Sequence, residues 1–133
     1  MGFVADNSIT IAWHFPAQAT PESERAFKLL AGQSAYAPPI WRQEFAHVLK
    51  KAIRTRRITE TVAFEIIAEH ESLPFFVNEA AVPTHELLKL ALRHELSAYD
   101  ASYLELALRL QLPLATKDDA LRAAAKQCGV ALI

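Results

Sequence analysis

Four acidic residues, Asp6, Glu44, Asp100 and Asp118, occupy positions from which they could act together. Asp6 directly follows the apolar run "FVA", and Asp118 follows "LPLAT" with only Lys117 between. Asp100 falls in the first turn of a predicted helix, and Glu44 falls in the second turn of another. All four are expected at one edge of a sheet, where ligands bind in open α/β folds.

Four carboxylates that lack cationic partners cannot share a pocket in ionised form, because like charges and burial both raise their pKa values. Oxygen ligands without histidine or cysteine suit Mg²⁺ or Mn²⁺, which bridge carboxylates to phosphate oxygens. Such an ion makes a nucleophile of its bound water, so the pattern indicates phosphodiester hydrolysis. Taken singly, each acid has a simpler interpretation as a helix cap, a first-turn acid or a solvated helix residue. The joint pattern favours the metal site.

The elements that would position these acids alternate along the chain. Continuous apolar runs, typical of strands covered on both faces, predict strands at 2–5, 35–37, 74–77, 112–116 and 130–133. Helical patterns lie at 20–31, 39–56, 59–72, 84–95, 97–110 and 117–128, and a short helix is expected after Asn7. The alternation predicts a three-layer α/β/α fold with a central parallel sheet, in a single domain spanning 1–133.

Several helix boundaries carry capping signals. Pro39 suits a first helical turn, Thr59 and Ser97 suit N-caps, and Gly129 suits a stop before the last strand. "SAYD" and "TKDD" both have the capping-box spacing of a hydroxyl followed by an acid three residues later.

Composition restricts the class of protein. The chain has 133 residues, 52% hydrophobic content and a formal net charge of -1, so it can bury its own core and has no bulk attraction for a charged partner. Its single cysteine, Cys128, excludes an internal disulfide and fits a reducing compartment. No segment approaches the roughly 20 apolar residues of a membrane span. We therefore expect a soluble, cytoplasmic protein without a membrane segment.

The histidines, the tryptophans and the cysteine carry no pattern typical of a site. The five histidines lack the spacing of a zinc site, and Trp13 and Trp41 lie in apolar stretches typical of a core. Cys128 has no base in its local sequence, so a catalytic thiol is not expected. With three glycines and no G-x-G-x-x-G loop, a dinucleotide-binding domain is excluded.

The densest basic run is "KKAIRTRRIT", downstream of Glu44. It is equally compatible with contacts to RNA phosphates and with a solvated helix end favoured by its dipole. The residues that would bind RNA are Lys50, Lys51, Arg54, Arg56 and Arg57.

Four stretches together resemble the PIN-domain ribonucleases, in particular the VapC toxins of toxin–antitoxin pairs. They are "VADNSITIAW", "APPIWRQEFAHVLKKAIRTRRIT", "LSAYDASYLELALRLQLPLATKDDAL" and "GVALI". The family motifs D-x-S, P-x-x-x-x-E, Y-D-A and T-x-D fall on Asp6, Glu44, Asp100 and Asp118. The third stretch, with helix, strand and acid in order, is the most specific.

The resemblance implies a PIN-like fold and a Mg²⁺- or Mn²⁺-dependent endoribonuclease that forms a homodimer. It also implies inhibition by a cognate VapB-type antitoxin whose tail lies across the active site. The apolar faces of the 20–31 and 59–72 helices would either join the core or form a groove for the antitoxin's helix. The alternative function is a PIN-like module that binds RNA or protein without cutting.

The chain departs from the family pattern at Asn7, Lys117 and Asp119. Asn7 would touch a metal-bound water or cap the short helix, with the cap favoured. Asp119 would be an outer ligand or the capping partner of Thr116, with the cap again favoured. Ser8 and Thr116 are predicted to orient the carboxylates from outside the metal's ligand set.

Overall fold

The computed structural model describes residues 1–133. The chain forms four strands and seven α-helices, with a short 3₁₀ turn at Pro16–Gln18. In chain order these are β1 (Gly2–Ala5), α1 (Asn7–His14), α2 (Pro21–Leu29), β2 (Ser34–Ala37), α3 (Ile40–Arg54), α4 (Glu60–Glu71), β3 (Phe75–Val77), α5 (Thr84–His94), α6 (Ala98–Leu110), β4 (Leu114–Ala115) and α7 (Asp119–Gln127).

The four strands form one parallel sheet in the order β3-β2-β1-β4. Val4 of β1 pairs with Tyr36 of β2 on one side and with Leu114 of β4 on the other. Since parallel strands present their carboxyl ends at the same edge, the residues after β1 and after β4 lie side by side. This confirms the predicted α/β class and explains how Asp6 comes next to Thr116.

Two buried clusters cover the sheet. The smaller one joins Phe3 and Ala5 of β1 to Ile9 of α1 and Ala26 of α2. The larger one contains Val4 together with side chains from α1, α3, α4, α6 and α7. Phe3 and Ala5 lie in one cluster and Val4 in the other, as the alternation of side chains along a strand requires. Helices on both faces of the sheet give the three-layer architecture.

The predicted strand at 130–133 is wrong. The tail makes only an isolated bridge between Leu132 and Leu114, with hydrogen bonds from Leu114 N to Ala131 O and from Ile133 N to Leu114 O. β4 is only two residues long, so it offers the tail too short a partner for a continuous ladder. Apolar character alone does not reveal this, since Val130, Leu132 and Ile133 are still partly buried.

The capping predictions have mixed outcomes. Thr59 and Ser97 are N-caps that accept from Val62 N and Asp100 N, and Gly129 has a φ of 72°, in the left-handed region that favours glycine. The cap of α1 is Asp6 and not Asn7, because the Asp6 carboxylate accepts the Ile9 N–H.

None of the helices is both long enough and apolar enough to span a membrane.

Candidate active site

Asp6 occupies the most constrained position at the carboxyl edge of the sheet. Its side chain caps α1 and is buried, with 4% exposure. Oδ1 accepts from Ser8 Oγ at 2.6 Å and from Ile9 N at 3.1 Å, and Oδ2 accepts from the Thr116 hydroxyl. Burial raises the pKa of Asp6 from 3.8 to about 6, the three hydrogen bonds oppose that rise, and the charge of Asp100 adds to it.

Glu44 lies half-buried in the second turn of α3. The Tyr103 hydroxyl donates to its Oε1 at 2.6 Å. Burial raises the pKa of Glu44, Tyr103 opposes the rise by hydrogen bonding, and the charge of Asp100 contributes to it.

Tyr103 is a functional candidate that the sequence analysis missed. It is 1% exposed, and burial, together with the negative charge of Glu44, raises the pKa of its hydroxyl. The hydroxyl therefore keeps its proton and remains a donor to Glu44. The available signal was its position three residues after Asp100 on α6, since residues three apart share a helix face.

Asp100 is the acid whose charge affects the pKa values of both Asp6 and Glu44. It lies in the first turn of α6, where its backbone N–H donates to Ser97 Oγ at 3.0 Å. Burial raises the pKa of Asp100, and the charge of Asp118 adds to that rise. The Asp100 charge also raises the pKa values of Asp6 and Glu44, so Asp100 interacts electrostatically with each of the other three acids.

Asp118 is exposed and is the N-cap of α7, accepting from Leu121 N at 2.9 Å. This corrects the capping box predicted for Thr116 and Asp119. The Thr116 hydroxyl donates to Asp6 and accepts the Asp118 N–H at 3.0 Å, so it does not cap α7. Asp119 is an exposed acid in the first turn of α7, where the helix dipole favours it.

Two hydroxyls tie the end of β1 to the segment after β4. Thr116 links Asp6 to the Asp118 backbone, and Ser8 Oγ accepts the Lys117 N–H at 3.1 Å while donating to Asp6. Ser8 and Thr116 thus touch a carboxylate and a neighbouring backbone group at once. Both donate to Asp6, and their role outside the ligand set of a metal stays a prediction.

No basic side chain neutralises these acids. The structure contains four ion pairs, and none of them includes Asp6, Glu44, Asp100 or Asp118. The nearby cations are directed elsewhere: Lys117 Nζ donates to the Gln18 carbonyl at 2.9 Å, and Arg122 donates to the Thr116 carbonyl at 3.1 Å. The negative charge of the acid edge, which comprises these four acids, is therefore uncompensated.

The acid edge fits a hydrated hard cation better than a fully coordinated one. No three His, Cys, Asp or Glu side chains stand close enough to hold a metal by themselves. Mg²⁺ usually keeps several waters and needs only one or two direct carboxylates. Asn7, beside Asp6, also has a buried Oδ1 with no hydrogen-bond partner, an acceptor suited to a metal-bound water. The donor chemistry thus fits Mg²⁺ or Mn²⁺.

The predicted RNA-binding run lies away from the acids. All five of its basic residues are exposed. Arg54 follows Glu44 by ten residues on α3, so the two positions are about 15 Å apart along the helix axis. Arg57 lies over the Phe15 ring, 5.7 Å from its centroid. RNA binding by this run stays a prediction, and it would involve phosphates flanking the acid edge.

The tryptophans have the packing roles expected of them. Trp41 is 8% exposed and donates to Thr10 Oγ1 at 2.9 Å, while Trp13 donates to the Ser23 carbonyl at 3.0 Å.

Comparisons with known proteins agree with this fold. The PIN domain family model matches residues 3–127. Ribonuclease VapC1 from Mycobacterium tuberculosis, in strains CDC 1551 / Oshkosh and ATCC 25618 / H37Rv, is 32% identical over 98 residues, covering 72% of this chain and 71% of the relative. The crystal structure of PAE2754 from Pyrobaculum aerophilum superposes with a TM-score of 0.74 at 24% identity, covering 93% of this chain and 84% of that one. The chain therefore belongs to the PIN-domain family, among the VapC ribonucleases.

Proposed function

We propose that this PIN-domain nuclease is a Mg²⁺- or Mn²⁺-dependent endoribonuclease of the VapC toxin type. The observation that carries the proposal is the acid edge: four carboxylates at one end of a parallel sheet, electrostatically linked and without a basic partner. The similarity to proteins named ribonuclease VapC1 supports RNA as the substrate.

Asp6, Glu44, Asp100 and Asp118 are the residues that would hold the metal. When bound, the ion would activate water for attack on a phosphodiester and stabilise the charge that develops on phosphate oxygens. The chain's own contribution is positioning. Tyr103 holds Glu44, and Ser8 and Thr116 hold Asp6, so that the carboxylates are ordered before substrate arrives.

The second candidate function is a module that binds RNA or protein without cutting it. One observation favours it, since Asp6 and Asp118 both cap helices and thus have structural roles. Asp100 and Glu44 do not cap a helix through their side chains, and their shared negative environment has no structural benefit. We therefore favour the enzyme.

Cleavage of a pooled, end-labelled RNA by the purified protein tests the proposal. We expect discrete cuts with Mg²⁺ or Mn²⁺ that disappear with EDTA. The ends should carry no cyclic phosphate, because water and not the 2′-hydroxyl of the RNA is the nucleophile, and the family resemblance implies 5′-phosphate and 3′-hydroxyl ends. Asp100→Asn should lose at least about 100-fold in rate, more than the loss of an outer-sphere partner usually costs. Cyclic 2′,3′-phosphate ends, or equal cutting in EDTA, would reject the metal-water mechanism. Binding without any cutting would favour the module.

We further propose that a cognate VapB-type antitoxin covers the groove over α1, between α2 and α4. Trp13 of α1 contacts Phe27 of α2, with ring centroids 5.7 Å apart, and stacks on His70 of α4 at 6.1 Å. A cavity of about 460 Å³ between α1 and α2 is lined by Trp13 and Phe27, and Phe27 is 45% exposed. On α4, Phe64 is 64% exposed. An amphipathic helix would bury this apolar surface.

The antitoxin proposal can be tested with the product of the neighbouring reading frame. The two proteins should co-purify, and the complex should lack nuclease activity. Phe64→Glu should release the partner and restore cleavage, whereas Glu65→Lys on the same helix should not. Retention of the partner by the Phe64 variant would remove the groove from consideration.

A homodimer and a cytoplasmic location complete the proposal. Leu88 and Leu92 of α5 are 56% and 71% exposed and form an apolar stripe one turn apart, which suits contact with a second copy. Light scattering should give the mass of a dimer for the wild type and of a monomer for Leu92→Glu. The single cysteine is compatible with the reducing cytoplasm.

A further inference from the structure

A second group of chemically competent side chains lies where α5 meets the end of α7. Cys128, the chain's single cysteine, is the C-cap of α7, and its Sγ lies 3.3 Å from His94 Nε2. His94 is the last residue of α5. The base that is missing from the local sequence of Cys128 is therefore supplied from a different helix, 34 residues away along the chain.

The third member of the group is Gln127. Its Oε1 lies 2.9 Å from His94 Nδ1, on the far side of the imidazole from the sulfur. An amide oxygen only accepts, so Nδ1 carries the ring proton and Nε2 presents its lone pair to the thiol. A nucleophile, a base and a group that orients the base thus stand in the order of an activated nucleophile.

The thiol also borders a cavity of about 440 Å³. Its walls are the end of α6, the segment at Leu112 and Pro113, and the tail at 129–131. Cys128 is only partly buried, and this volume is in the range that admits a small molecule. The cavity is an observation independent of the hydrogen bonds, and a small reagent bound in it would lie beside Cys128.

We propose that Cys128 is a nucleophilic thiol, activated by His94, that forms mixed disulfides with low-molecular-weight disulfides. The thiol proton moves to His94 Nε2 as sulfur attacks one sulfur of the disulfide. The new S–S bond forms while the old one breaks, and the departing thiolate takes the proton from His94. The disulfide is the only oxidant required, and an external thiol reverses the reaction.

The chain offers no second cysteine to resolve the mixed disulfide internally. The adduct therefore persists until an external thiol removes it. Asp118 caps the other end of α7, ten residues from Cys128 and about 15 Å along the helix axis. The thiol chemistry is thus separate from the acid edge and does not depend on the proposed nuclease activity.

Intact-protein mass spectrometry tests the proposal, since one cysteine means one possible adduct. The purified full chain is treated at pH 7 with glutathione disulfide and, separately, with iodoacetamide, beside free glutathione as the reference thiol. We expect the folded wild type to react about 10-fold faster than urea-unfolded protein, a modest share of what a positioned base can contribute. The glutathione adduct should add a single mass and should disappear with dithiothreitol.

Two variants separate activation from simple exposure. His94→Gln should reduce the rate to that of the unfolded chain, and Gln127→Leu should reduce it partly by releasing the imidazole. His85→Gln, an exposed histidine on the same helix, is the matched control and should react like the wild type. Equal rates in the wild type and His94→Gln, or a folded thiol no faster than the unfolded one, would overturn the proposal.

Discussion

The acid edge and an aromatic cluster, made up of Trp41, Phe45, His70 and Phe75, both bury ionisable groups, yet only the acid edge keeps negative charge without a basic partner. In the aromatic cluster His70 is 4% exposed, stacks on Trp41 at 4.8 Å and meets the edge of Phe75 at 4.5 Å. Burial lowers the pKa of His70 to about 4, and the neighbouring His14 adds to the shift. His70 is therefore neutral at pH 7, the form that suits an apolar environment.

At the acid edge burial disfavours the very form that a metal site needs. Asp6, Glu44 and Asp100 all have raised pKa values, chiefly because of burial, and no basic side chain offsets their charge. His70 in the aromatic cluster is thus neutral at pH 7 and needs no counter-charge, whereas the negative charge of the acid edge has no basic partner within the chain. This difference separates a packing histidine from the carboxylates proposed to bind metal more clearly than burial does.

The largest effect is expected for Asp6→Asn in metal-free protein. The folded pKa of Asp6, about 6, exceeds the ordinary 3.8. The contribution of Asp6 to the free energy of unfolding is therefore fully present below pH 3.8, and about 3 kcal/mol of it is lost as the pH rises through 6. Asn stays neutral, so the variant should be about 3 kcal/mol more stable at pH 7.5 and no more stable at pH 3.5. Urea unfolding at both pH values, in EDTA, measures the difference. A gain that does not depend on pH would contradict the account of Asp6.

The opposite pH dependence is expected for His70. Its folded pKa of about 4 lies below the ordinary 6.5, so its contribution is present above pH 6.5 and is lost as the pH falls toward 4, by up to about 3 kcal/mol. His70→Phe keeps an aromatic ring in the stack but cannot be protonated. It should lose less stability than the wild type between pH 7.5 and pH 4.5, whereas the exposed His85→Phe should behave like the wild type. Equal acid sensitivity in all three proteins would remove His70 as the cause.

A substitution at Tyr103 tests whether the hydrogen bond to Glu44 matters for metal binding. Tyr103→Phe removes the donor to Glu44 and leaves its carboxylate less ordered. We expect Mn²⁺ affinity and RNA cleavage to fall about 10-fold, within the usual range for a residue that orients a ligand. Tyr99→Phe, on the same helix and 59% exposed, is the matched control. An unchanged Mn²⁺ affinity in Tyr103→Phe would limit Tyr103 to a packing role.

The smallest effect is expected for the basic run. Reversing Lys50 and Lys51 to Glu should weaken RNA binding by a few-fold and reduce its salt dependence, since each phosphate contact contributes a slope of roughly -0.7 for single strands. Filter binding in EDTA at several salt concentrations measures this. Mn²⁺ binding should not change, because both lysines are exposed on α3 beyond the acid edge. An unchanged affinity for RNA would reject the run as a binding surface.

The sheet edge was predictable because strand ends and first helical turns leave local signals. Asp6 after "FVA" and Asp100 after Ser97 both lie where the residue patterns placed them. The hydrogen-bond network was only partly predictable. Thr116 was expected to orient a carboxylate, but it also has the spacing of a helix cap, and nothing local indicates that its hydroxyl donates to Asp6, 110 residues away along the chain. Long-range competition for one hydroxyl has no local signature.

Partners from distant helices were missed for the same reason. Tyr103 reaches Glu44 across 59 residues, and His94 reaches Cys128 across 34. Periodicity indicates which face of a helix is apolar, but it does not identify which polar group on another helix will meet it. The tail at 130–133 shows that an apolar run can also predict too much. It has the composition of a strand, but it pairs with only one residue of β4.

Binding of Mn²⁺ to the metal-free protein tests the central claim most directly. Calorimetric titration at pH 7.5 should show binding of one or two ions to the wild type, and Asp100→Asn should abolish it, because Asp100 acts on both Asp6 and Glu44. Glu105 lies on the same helix and forms an ion pair with Arg109, so Glu105→Gln should bind Mn²⁺ like the wild type. Absence of binding to a folded wild type, or undiminished binding to Asp100→Asn, would contradict the assignment of the acid edge as a metal site.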